Sequence, residues 1–182
     1  MNESLEELVR LDRAVYEAVA AAGTPSLDAG LRRVSEAANR SALWIGVAAA
    51  LAAVGGRRGR RAAVDGLASI AVASAVVNLG AKPLARRRRP ERDATTRSER
   101  HVRMPGSTSF PSGHSASAFA FAEGVSATLP WVGVPLRLAA ATVAYSRVHT
   151  GVHYPGDVVV GTLIGMTAGE VVPRGLARAR RR

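Results

Sequence analysis

From residue 41 to residue 172 the chain alternates between apolar stretches rich in Ala, Val and Leu and short polar stretches dense in arginine. A stretch of about 20 apolar residues crosses a bilayer as a helix, because only a helix pairs all of its own backbone groups away from water. Ala62–Ala81 has that length, and its polar side chains are confined to Asp65, Ser69, Ser74 and Asn78 before Pro83 ends it. Ser41–Gly56 is shorter and uncharged. His114–Leu129 carries one acid, Glu123. Pro130 and Pro135 bracket a tight turn, after which Leu136–Tyr145 continues as a helix with Arg137 near its start. Asp157–Val172 is the last apolar helix, with Glu170 near its end. The pattern predicts an all-α, polytopic membrane bundle of about five to six helices. A mean hydropathy of +0.06 also suits a soluble bundle of alanine-rich buried helices, so the membrane reading rests on the segments.

The first forty residues differ. Leu5, Leu8, Val15 and Val19 recur at helical spacing, but Glu6, Glu7, Arg10, Asp12, Arg13 and Glu17 oppose a full crossing. Leu5–Ala22 is therefore expected as a shortened, interfacial helix lying on the membrane surface. Gly23-Thr24-Pro25-Ser26 breaks it, and a second short helix is expected from Leu27 to about Asn39, capped by Ser26. The chain thus divides into N-terminal interfacial helices (1–40), a transmembrane core (41–173) and a basic tail (174–182). Met1–Glu7 carries acids rather than the basic and apolar regions of a secretory signal.

A formal charge of +11 suits nucleic acid, an anionic membrane or an anionic substrate. No aromatic residues are interleaved with the basic runs for base stacking, so nucleic acid is not expected as a partner. Disulfides and cysteine-held metals are excluded, since the chain has no cysteine. Almost all of the positive charge is arginine; the sole lysine, Lys82, opens the first of three polar segments.

Those segments are Lys82-x6-Arg89-Pro90, Pro111-Ser112-Gly113-His114 and Ser146-Arg147-x5-His153-x3-Asp157. Two helices separate the first loop from the second, so both emerge on one side of the membrane. A phosphoryl group in transfer spreads negative charge over three oxygens, and its catalysis is mainly positioning and charge stabilisation. Lys82, Arg89 and Arg147 supply three cations at helix mouths. Ser112 adds a hydroxyl donor, and Gly113 allows backbone approach at a helix N-terminus, where free N–H groups bind anions. With a helix starting near Pro155, the Asp157 carboxylate reaches back to His153, fixes its tautomer and leaves the other ring nitrogen free to attack phosphorus. His114 is placed to protonate the leaving oxygen and then to activate water.

The three segments together, in this order and with these gaps, resemble the full signature of the type 2 phosphatidic acid phosphatase superfamily. The resemblance runs from Lys82 to Asp157. It implies a six-helix core, often shortened at the N-terminus, and hydrolysis through a phosphohistidine without metal or other cofactor. Position by position it implies His153 as nucleophile, Asp157 as its orienting partner and His114 as acid and base. Lys82, Arg89, Ser112, Gly113 and Arg147 fall on phosphate. The expected substrate is a phosphorylated lipid: phosphatidic acid, phosphatidylglycerol phosphate, or a polyprenyl phosphate or diphosphate. The positive-inside rule places Arg57–Arg61 and the tail in the cytoplasm and the two polar loops outside, in a multi-pass protein of the cell membrane. A vanadium-dependent haloperoxidase uses the same residue set, and a non-catalytic basic membrane protein is the remaining alternative.

Other residues carry plainer expectations. His149 and His101 are read as structural. Arg86, Arg87 and Arg88 are read as a field that attracts anionic headgroups or as a solvated patch. Arg137 is a partner available to Glu123, and Asp65 is expected near an interface.

Overall fold

A computed structural model describes residues 3–22, 24–92 and 100–182. They fold as α1 (Glu3–Ala21), α2 (Pro25–Ala37), α3 (Ala42–Val54), α4 (Gly56–Ala75), α5 (Lys82–Ala85), α6 (Gly113–Ser126), α7 (Pro130–His149) and α8 (Pro155–Ala179). A π-turn, Val76–Ala81, joins α4 to α5 in one rod, so the count is seven rods rather than five to six. Two of the seven are the N-terminal helices α1 and α2, which were expected as separate helices.

Several boundaries move outward from the sequence reading, each for a local reason. Arg57–Arg61 lies in the first turns of α4 rather than in a loop. The turn expected at Pro130–Pro135 is helix: Pro130 sits at the first helical position, where an N–H would be free anyway. Pro135 follows in the second turn and orphans only the carbonyl of Trp131, a residue 89% exposed. Helix α7 also runs on to His149, placing Arg147 on a helix and shrinking the second loop to residues 150–154. Helix α8 passes through Pro173 into the basic tail.

Helix α6 is the axis, with α4, α7 and α8 packed around it; α3 lies on α4, α2 on α7, and α1 touches α7 and α8. At 14 residues α6 is about 21 Å long, too short to cross a bilayer unaided. Its residues Ala116, Ala118, Ala120, Phe121, Ala122 and Val125 are fully covered, and Phe121 meets Trp44 of α3 with ring centroids 5.6 Å apart. The α6–α8 seam is built from small residues. A Cβ at Gly161, Gly165 or Gly169 would press on Ser112, Ala116 or Ala120/Glu123 of α6, well inside 3.0 Å. Such close backbone approach is how helices associate where no water is displaced between them.

Among the described residues one rod, Gly56–Ala85, is by itself long and apolar enough to cross a membrane. Pro25–Ala37 and Asn39–Val54 pass that test as a pair, bent by 62°. The outer faces of other rods are nonetheless apolar: Ile45 on α3, Leu138 on α7, and Leu163 and Val171 on α8 are all exposed.

The antiparallel order of α4, α6, α7 and α8 gathers Lys82, the segments 86–92, 100–112 and 150–154, and two helix N-termini at one end of the bundle. At the opposite end Asp65, 1% exposed, accepts from Thr128 Oγ1 at 3.0 Å and Arg180 at 3.0 Å, with Arg61 at 3.8 Å. Asp65 thus clasps the start of α4 to the end of α8. Glu123 takes Arg137, the available partner, through two contacts of 2.6 Å. Glu170 pairs with Arg174 at 2.7 Å.

Candidate active site

Local structure puts each expected side chain in place. Ser112 is the N-cap of α6: its Oγ accepts from the Ser115 N–H at 3.3 Å and the Ser115 hydroxyl at 2.9 Å, which leaves its own hydrogen to donate. The Ser112 N–H donates to the Asp157 carbonyl at 2.9 Å, so the N-termini of α6 and α8 are tied together. Gly113 follows as the first helical residue, where a Cβ would stand 3.9 Å from Lys82 Nζ. The π-turn widens the last stretch of α4 before Lys82, whose ammonium donates to Asn78 Oδ1 at 3.1 Å and Ser107 Oγ at 3.4 Å.

The loop after α7 coils tightly. Gly151 takes φ +69, and the N–H groups of Val152 and His153 both donate to the Arg147 carbonyl, at 3.1 and 3.2 Å. This turns the His153 ring inward, where it is 2% exposed. Its Nδ1 lies 3.4 Å from Asp157 Oδ2, an ion-pair distance short of an aligned hydrogen bond, and its Nε2 lies 3.3 Å from Arg89 NH1. Burial pushes the His153 pKa down to about 4, with Asp157 opposing and Arg89 and Arg147 adding to the fall. The ring is therefore neutral at pH 7.

Asp157 is buried, and three donors hold it: Arg87 NH1 at 2.9 Å, the Tyr154 N–H at 2.9 Å and the Ser109 hydroxyl. Arg87 was not distinguishable from its neighbours as sequence. It is neither headgroup bait nor a solvated charge: its guanidinium bridges Asp157 to Asp12 of α1 at 2.6 Å and stacks 4.2 Å over the Tyr154 ring. Arg86 and Arg88 stay exposed. Asp12 also accepts from the Gly156 N–H at 2.7 Å, capping α8 from another helix. No motif marked Asp12, one charge among several on an amphipathic helix. Arg87→Gln is expected to release Asp157 and reduce kcat about tenfold to a hundredfold with substrate affinity little changed, as steady-state kinetics would read.

Arg89 is anchored by the carbonyls of Val152 (2.7 Å), Ser107 (2.9 Å) and Thr108 (3.2 Å). Burial and its cationic neighbour Arg92 lower its pKa, with Asp157 working against them. Arg147, 1% exposed, donates to Ser35 of α2 through its carbonyl and hydroxyl, and its Nε has no hydrogen-bond partner among the described residues. His114 Nε2 pairs with Asn39 Oδ1 at 2.9 Å, a second partner from the N-terminal region that the motifs did not point to. His149 is structural as expected, joined to Asp28 of α2 at 2.8 Å. His153, Asp157 and Arg89 thus touch directly, while Lys82, His114, Ser112, Gly113 and Arg147 surround them on separate supports.

The arrangement contains a buried neutral imidazole with an acid on one nitrogen and a cation near the other. Two helix N-termini and two further cations stand around it. The set fits a nucleophile attacking an anionic centre.

The chain is similar to known proteins over most of its length. The family model of the PAP2 superfamily matches residues 62–181. Decaprenylphosphoryl-5-phosphoribose phosphatase of Mycobacterium tuberculosis is 36% identical over 186 residues, covering 97% of this chain and 99% of that protein. Among solved structures, Aquifex aeolicus LpxE superposes with a TM-score of 0.74 at 24% identity, over 90% of this chain and 95% of that one. The first transmembrane PAP2 type phosphatidylglycerolphosphate phosphatase from Bacillus subtilis gives 0.71 at 21% identity, over 98% and 88%.

Proposed function

The chain belongs to the PAP2 superfamily and is a phosphoric ester hydrolase, and from that premise we propose that it works in the membrane and releases phosphate from a lipid through a covalent intermediate on His153, without a metal ion. The observation that carries this reading is the line Asp157–His153–Arg89, with ring contacts of 3.4 and 3.3 Å on its two nitrogens.

In the first step the Nε2 lone pair attacks phosphorus while Nδ1 keeps its proton toward Asp157. The bond from phosphorus to the lipid oxygen breaks, and that oxygen takes a proton from His114. In the second step water attacks the phosphohistidine, His114 receives a proton from it, and the P–N bond breaks to free inorganic phosphate and His153. Lys82, Arg89 and Arg147 balance the charge on the equatorial oxygens, with Ser112 and the Gly113 N–H completing the cradle. The unpartnered Arg147 Nε is a buried donor for which a phosphate oxygen is the natural acceptor.

The protein is a multi-pass bundle with its site on the extracytoplasmic face. Supporting this, the Asp65 clasp joins Arg61 to Arg180, so the first turns of α4, with Arg57, Arg58 and Arg60, share the far end with the basic tail, whereas Arg87, Arg89, Arg92 and Arg100 at the site end are committed to protein acceptors.

The test is phosphate release by detergent-purified protein from a panel of lipid phosphates in EDTA. Release across the panel or from one member supports the reading; dependence on an added divalent ion would remove the histidine-only mechanism. The same assay read against pH has a defined sign. Attack needs the unprotonated ring, so activity is lost as pH falls through the His153 pKa. Once substrate ionisation is corrected for, the acid limb of kcat/KM is expected near about 4 rather than 6.5.

A further inference from the structure

The bend between α2 and α3 holds two consecutive left-handed residues that are not glycine, Arg40 (φ 52, ψ 26) and Ser41 (φ 58, ψ 18). Backbone held in this region by bulky residues is unfavourable and persists where the surroundings fix it. Two things follow from it here. Asn39 is turned onto His114 at 2.9 Å, and Arg40 is left exposed beside that histidine with no ion pair or hydrogen bond among the described residues. Arg40 and His114 line two adjoining clefts: one of about 230 Å³ shared with Lys82, Asn78 and Gly113, and one of about 870 Å³ bounded by Ala42, Met104 and Pro105. Arg103, on the loop before α6, lines the larger cleft, is exposed, and is likewise unpaired among the described residues.

These two arginines are not needed for the phosphate that is cleaved, which already has Lys82, Arg89 and Arg147. They lie beyond His114. In the mechanism above, on which this inference rests, His114 meets the leaving oxygen, so the space beyond it belongs to the leaving group. We propose that Arg40 and Arg103 bind a second phosphate, carried by the substrate between the bond that breaks and the lipid tail. The preferred substrate class is then a lipid with two phosphates, not a lipid with a single terminal phosphate. A guanidinium grips phosphate oxygens in pairs, and the apolar walls at Ala42, Met104 and Pro105 continue the cleft toward hydrocarbon. The second phosphate is either a diester separated by a polyol or the inner phosphate of a diphosphate, and the two are separable by assay.

Three substrates in mixed micelles test the proposal: phosphatidylglycerol phosphate (separated diester), farnesyl diphosphate (adjoining phosphate) and phosphatidic acid (none). For Arg40→Gln and Arg103→Gln, the ratio of kcat/KM for a two-phosphate lipid to that for phosphatidic acid is expected to fall by about tenfold or more. The substrate whose ratio falls identifies the source. General damage to the site would lower all three together and leave the ratios unchanged, which would overturn the proposal. Equilibrium binding of phosphatidylglycerol, which keeps the diester and has no group to cleave, reads the same arginines without turnover. Binding that weakens about tenfold in each variant supports the proposal, and binding unchanged by both sinks it. If the wild type cleaves none of the three lipids, these three fail as substrates of the proposed function, and the phosphatidylglycerol measurement still decides this one.

Discussion

Replacing His153 by alanine is expected to lower phosphate release by about 10⁴-fold or more, the scale seen when a covalent nucleophile is removed. The ring is the one group that has a carboxylate on one nitrogen, a guanidinium 3.3 Å from the other, and a depressed pKa that keeps it neutral. No neighbour substitutes for it: His149 is locked to Asp28 and His114 is held by Asn39. Asp157→Asn removes the charge that steadies the cationic ring, and is expected to lower the rate by about 10²- to 10⁴-fold with the fold intact. The check is labelling from a radiolabelled lipid phosphate, quenched in alkaline detergent, beside steady-state rates. Wild type should accumulate an acid-labile, base-stable phosphoenzyme that is absent from His153→Ala. Near-normal turnover in that variant would eliminate the covalent route.

The second large effect falls on the scaffold. Gly165→Val places branched carbons against the Ala116 carbonyl and the Ala120 N–H, backbone atoms that cannot step aside. The seam must open, at about 3 kcal/mol or more, since forcing bulk into a packed contact costs about 1–3 kcal/mol even where side chains can adjust. Opening it also separates the two helix N-termini that the Ser112–Asp157 bond holds together, so activity falls with stability. Thermal unfolding in detergent reads the first effect and phosphate release the second. Gly175, also on α8, has nothing within 4 Å of a Cβ, and Gly175→Val is the control expected to leave the melting temperature unchanged.

How much of this was legible in the sequence follows from chain separation. Helices came from apolar periodicity and Pro or Gly punctuation, which are local, and every segment read as helical is helical. The ends were misjudged where proline was taken as a stop, because its effect depends on where in the helix the missing N–H falls. The signature residues were legible because their chemistry is concentrated in three short segments. Their supports were not. Arg87 reaches Asp157 across 70 positions, His114 finds Asn39 across 75, and Gly156 is capped by Asp12 across 144. Nothing in the first forty residues marks Asp12, Asn39 or Ser35 as different from other polar residues of amphipathic helices. Their importance exists only once α1 and α2 are docked.

The carbonyls around Arg89 have a kinetic meaning. Long cationic side chains lose about 2 kcal/mol of rotamer freedom when immobilised. Here Val152, Ser107 and Thr108 fix the guanidinium of Arg89, Ser35 fixes that of Arg147, and Asn78 and Ser107 fix the ammonium of Lys82. That ordering is completed when the protein folds, once in its lifetime, and is not repeated at each encounter with substrate. Under the proposed mechanism an arriving phosphate would find the field already drawn to its shape, and the motion left to the catalytic cycle would be that of the lipid.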